Sequence, residues 1–157
     1  MPTVAQIRAA IVAEMQAVTD IGAVHDYQRY ATNNADMAAL YRVEMGTPPA
    51  ARLQGWFVSR TSTEEESDAL GRYVITHTWM VRGYRGLDDS AASEKQWDDL
   101  IESLMVRFRT RETLGGVVAS TVLEQGAGLQ LDEQVPVMFA GVLCHMARLT
   151  LRTRHYE

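Results

Sequence analysis

Several residue types are scarce in this 157-residue chain, and each scarcity excludes something. Cys144 is the only cysteine, so no disulfide can form within the chain, and a reducing cytoplasm is expected. Lysine is equally rare, because Lys95 alone stands beside fourteen arginines among the fifteen basic residues. Four prolines and eleven glycines are far from a collagen-like or disordered composition. No long apolar run is present. The best, residues 135–147, is broken by Pro136, Gly141 and His145 and falls short of the roughly 20 residues a hydrocarbon core requires. The first residues lack a basic segment followed by an apolar stretch, so no secretory leader is expected.

What is present describes an ordinary globular chain. A hydrophobic fraction of 46% and a charged fraction of 22% over this length fit one domain spanning 1–157 with a core of its own. The net charge of −5 argues against a protein whose main task is to grip nucleic acid by neutralising phosphates. The preference for arginine suits carboxylate recognition and interfaces, although genome composition produces the same bias.

Periodicity then places the elements. Val4, Ile7, Ile11, Met15 and Val18 recur at helical spacing behind a Thr3/Gln6 capping box. The stretch "VHDYQRYATNN" has no clean period, and its Asn33 and Asn34 supply cap chemistry for a short helix over residues 35–45 that turns Met37, Leu40 and Tyr41 inward. Gly46 and the Pro48-Pro49 pair end it. Two long strands follow, residues 52–61 and 72–84, joined by the acidic stretch "STEEESDALG" into a hairpin whose tip stands in solvent. Both faces of the second strand carry apolar residues, which predicts partial cover on each. The strongest helical stripe is Trp97, Leu100, Ile101, Leu104, Met105 and Phe108, over residues 93–109, with acids early and arginines late as the helix dipole favours. Strands are predicted over residues 117–124 and 129–132, a bend at Pro136, and a last strand from residue 142 to the end. The predicted fold class is α+β: an antiparallel sheet with a long hairpin, flanked by about three α-helices.

Signals of chemistry are sparse. The stretch "GAGLQL" has Leu131 where a dinucleotide loop needs its third glycine, and no Walker loop, nucleophile elbow or His-Glu-x-x-His pair occurs. Cys144 and His145 are neighbours on a predicted strand, so their side chains leave from opposite faces and cannot act together. His25 with Asp26, near Tyr27 and Tyr30, reads as packing and capping before it reads as a proton-transfer cluster, and His77 beside Trp79 reads as a core histidine. No catalytic residue, metal ligand or cofactor site is assigned, and no enzymatic activity is expected. The candidate residues are instead surface charges. Glu64, Glu65, Glu66 and Asp68 make an acidic hairpin tip, read as a solvated loop or a binding point for a basic partner. On the terminal strand, Leu149, Leu151 and Thr153 alternate with Arg148, Arg152 and Arg154, a row that either protects a sheet edge or forms ion pairs between subunits.

The order of elements carries a resemblance. An N-terminal helix, then "VHDYQRY", a short helix, a hairpin entered through "LQGWFVSR" and left through "HTWMVRGYRG", a helix bearing "WDDLIESLMVRF" and a closing strand "CHMARLTLR" resemble in layout the tail-terminator and tail-completion proteins of long-tailed bacteriophages. The resemblance spans nearly the whole chain and rests on layout alone. It implies a virion protein at the tail-neck junction, assembled in the host cytoplasm as a homo-oligomeric ring, commonly of six. Such a ring caps the tail tube protein, stops its polymerisation and meets the head-side connector or neck protein, while DNA passes through the acidic lumen without specific binding. The alternative is a small α+β ligand-binding or isomerase-like domain with a curved sheet around a cavity that His77, Trp79 and Asp26 would line.

Overall fold

The computed structural model describes residues Met1–Glu157. Helix α1 (Val4–Gln16) begins where the capping box predicts: Thr3 Oγ1 accepts from Gln6 N at 3.2 Å, and Gln6 Oε1 accepts from Thr3 N at 2.8 Å. Its Ile7, Ile11 and Met15 are fully buried. A three-residue strand β1 (Ala23–His25) follows, then α2 (Asn34–Leu40), β2 (Arg42–Met45), β3 (Ala50–Ser67) and β4 (Tyr73–Gly86). After a 3-10 turn at Asp89–Ala91 come α3 (Ser93–Arg109), the two-residue strands β5 (Val122–Leu123) and β6 (Gly126–Ala127), and finally β7 (Gln130–Phe139) and β8 (Val142–Tyr156). The main sheet runs β1-β3-β4-β8-β7, with β2 also on β3, and every pairing is antiparallel except β1 with β3. The expected α+β architecture is therefore the one observed.

The sheet has two unequal faces. One carries Trp56, Val58, Trp79, Val81, Ala147, Leu149 and Leu151, and α1 and α3 close over it to form the main core. Trp56 lies flat against Trp97 of α3, with ring centroids 4.9 Å apart, and this requires the glycine at 83, where a Cβ would stand 2.3 Å from the Trp56 ring. The other face is covered at one end only, where α2 brings Ala38 and Tyr41 against Leu53, Phe57 and Cys144. Gly55 leaves the room that Tyr41 fills.

Several expected boundaries move. The short helix stops at Leu40: Tyr41 O accepts from Gln54 N at 2.9 Å, and Arg42 to Met45 pair with β3, so Gly46 (φ +90°) and the prolines close a hairpin where a helix end is predicted. The acidic stretch is strand through Ser67, in register with Tyr73 to His77, which leaves only Asp68 to Arg72 as a turn. Cross-strand partners on β4 supply the backbone bonds that the polar composition conceals. The strand predicted over 117–124 reduces to β5 and one bridge from Ser120 to Arg154.

Pro136 does not interrupt β7, and the ladder explains why. Leu143 O accepts from Leu87 N and Glu157 exchanges both backbone bonds with Tyr73, so odd residues of β8 face β4 and even residues face β7. Val137, opposite Cys144, therefore turns its amide inward, and Pro136 turns its missing N–H to the free outer edge.

Candidate interaction surfaces

The single cysteine and the histidines, the groups that chemistry would use most readily, are buried or half-buried. Cys144 lies in the smaller hydrophobic cluster, and burial pushes its thiol up to about 11, so it holds its proton at neutral pH. His145 leaves from the opposite face, where Ser93 Oγ lies 2.8 Å from its Nε2. His25 Nε2 lies 2.7 Å from Leu40 O and packs edge-on against Tyr41, whereas Asp26, Tyr27 and Tyr30 are exposed, so the expected cluster of rings and cap does not assemble. Burial, with help from Tyr84, pushes the Tyr41 hydroxyl up to about 12.

His77 and Trp79 are both in the core, as their place on β4 predicts. His77 Nδ1 is 2.8 Å from Thr63 Oγ1, and the His77 ring lies 5.4 Å from that of His155. Trp79 donates from Nε1 to Thr153 Oγ1 at 3.0 Å. The guanidinium of Arg8 sits 5.7 Å over the Trp79 ring and donates to Asp26 O at 3.0 Å. Arg8 thus bridges Trp79 and Asp26, two of the three residues that the alternative reading sets around a cavity.

Two clefts at the surface are lined mainly by polar residues. Arg52 and Arg85 line both, which adjoin and measure about 340 and 190 Å³, and Arg85 Nη1 donates to the buried Gln54 Oε1 at 3.1 Å. Asp20, Asp88 and Asp99 share these walls, so the cations are balanced by nearby acids. No three His, Cys, Asp or Glu side chains gather into a metal cage.

The surface charges singled out in the sequence fall into two structural settings. From Thr61 to Ser67, β3 is exposed along its whole length and forms an open edge of the sheet, since β8 pairs with β4 on the other side as far as Glu157. Glu65 and Glu66 have no ion-pair partner in the chain, and Glu64 reaches across the sheet to Arg152 Nη2 at 2.9 Å. Asp68 shapes the turn: its Oδ1 accepts from Leu70 N and Arg72 N, its Oδ2 accepts from Arg72 Nε at 2.7 Å, and these bonds hold its carboxyl below the usual range. The fixed turn displays Leu70, 79% exposed, and Tyr73, 59% exposed. In the sequence a single leucine in a polar loop looks incidental, and Tyr73 reads as one more residue of the covered face that carries Ile75, Trp79 and Val81, whereas the structure leaves it exposed at the end of β4.

Along β8 the alternation holds. Leu149, Leu151, Thr153 and His155 are buried, while Arg148, Arg152 and Arg154 emerge on the open face. Each meets a carboxylate of its own chain: Glu133 at 3.6 Å, Glu64 at 2.9 Å and Glu124 at 3.4 Å. Such half-exposed pairs add little stability and leave the guanidinium donors available to a partner. Neither a scan against protein-family models nor a search of the curated proteins returns a match for this chain.

Proposed function

We propose that the protein is a structural subunit of a long-tailed phage particle, forming a ring that ends the tail tube and offers the joining surface to the head. The observation that carries this reading is the hairpin turn at the open edge of the sheet. A strand pair extending to a turn that displays Leu70 and Tyr73 exposes apolar area for which the folded subunit has no use. The layout that resembles tail terminators supports it, and so does the sheet face left open beyond α2.

Heterologous contacts repeated about a rotation axis give a closed ring, which presents one surface to the last tube layer and halts addition. A lumen of net negative charge lets DNA slide without adhering. Negative-stain microscopy of the purified protein is expected to show rings with an open centre. Fields of featureless small globules at every concentration would contradict the reading.

A further inference from the structure

On the open sheet face, the second hydrophobic cluster reaches no farther than Met80 and Tyr84 toward the hairpin. There Arg82 and Arg148 stand directly opposite each other on neighbouring strands, followed along β8 by Arg152 and Arg154. Like charges in cross-strand register repel unless an anion lies between them. Arg148, Arg152 and Arg154 find carboxylates within the chain, but Arg82 finds none. The Nε atoms of Arg82 and Arg152 are, in addition, buried without an acceptor. Buried donors left unpaired are costly, so this face is short of acceptors.

The opposite side of the molecule has the complementary chemistry. Helix α3 buries Trp97, Leu100, Ile101, Leu104 and Phe108 and leaves Glu94, Asp98, Asp99 and Glu102 exposed, with Asp98 accepting from Gln134 Nε2 on β7 and Glu102 3.7 Å from Arg109. Exposed Val106 continues that surface. Glu94, Asp98 and Glu102 are four residues apart, a rise of about 6 Å per step on a helix. Arg148 and Arg152, four residues apart on a strand, stand about 13.6 Å from each other, close to the roughly 12 Å between Glu94 and Glu102.

We propose that the acidic face of α3 in one copy docks across the Arg82, Arg148 and Arg152 face of the next copy. The two patches lie on opposite sides of one subunit, so the contact is heterologous and propagates from copy to copy until it closes. The inference rests on the ring reading above and names the surfaces that would build the ring.

The test is charge reversal and mixing, read by sedimentation velocity. The variant Glu94→Lys with Glu102→Lys changes only exposed helix residues outside the Arg52 and Arg85 clefts, and it is expected to weaken assembly at least about tenfold at low salt. Arg82→Glu with Arg148→Glu should do the same, and an equimolar mixture of the two variants should recover association. Raising salt should weaken the wild-type assembly in parallel. Wild-type rings that persist in the α3 variant and ignore salt would overturn the docking surfaces while leaving the ring itself standing. A wild-type protein that never leaves the monomer would overturn both.

Discussion

Glu14 shows what one residue can do here and why it was hidden. It sits on α1 between two core positions, is 5% exposed, and accepts from Arg107 Nε at 2.7 Å and Arg111 Nε at 3.0 Å. Those partners lie 93 and 97 residues farther along, a juxtaposition that no local pattern encodes. Burial of the carboxylate and partial exposure of the arginines place the pair between the surface and buried extremes. Glu14→Ala is accordingly expected to lower stability by about 2 kcal/mol in urea titration. The histidines make a second residue-scale prediction. Burial, then the neighbouring His155, then Arg60 lower His77; burial lowers His155, opposed by Glu157 and aided by the N-terminal amine. A folded-state value below the unfolded one means the unfolded chain takes protons first. Stability from this source is whole above about pH 6.5 and is lost as pH falls below it. Urea midpoints at neutral and mildly acid pH should differ more in wild type than in His77→Gln with His155→Gln, and an equal drop in both would refute the assignment. The core histidine at 77 was legible from its alternation with Trp79. Its pairing with His155 was not, because strand register is not written locally.

At the scale of elements, legibility followed the strength of the repeat. Helix α3 matched its expected bounds because six apolar residues recur at one period and acids and arginines order its ends. The acidic half of β3 was missed because its pairing comes from β4 rather than from its own composition. Residues 42–45 were misread for the same reason, since a β3 partner outweighs helix propensity. Pro136 was read as a bend, yet it lies in an edge strand with its ring nitrogen outward. That position makes it a guard against edge pairing. Pro136→Val is therefore expected to keep the fold, to change stability by no more than about 1 kcal/mol, and to increase light scattering on concentration as a new N–H joins the open edge. Unfolding of this variant would mean that the proline is needed for packing, and unchanged scattering would remove its protective role.

The whole molecule is a sheet with one closed face, one half-open face and an exposed hairpin turn at its edge. The α+β class followed from the order of helical and alternating segments, but the two-sidedness did not, because it depends on α2 reaching only one end of the second face. The candidate charges were legible as an acidic run and an arginine row. Their arrangement was not: the hairpin brings Glu64 to Arg152, while Glu65 and Glu66 remain free. An exposed hairpin turn, a cationic face and an anionic face are the surfaces that the proposed assembly would use. The most direct measurement is native mass spectrometry of the wild-type protein over a range of concentrations at low salt. A single closed oligomer with few intermediates is the predicted result, and a monomer throughout would contradict the account.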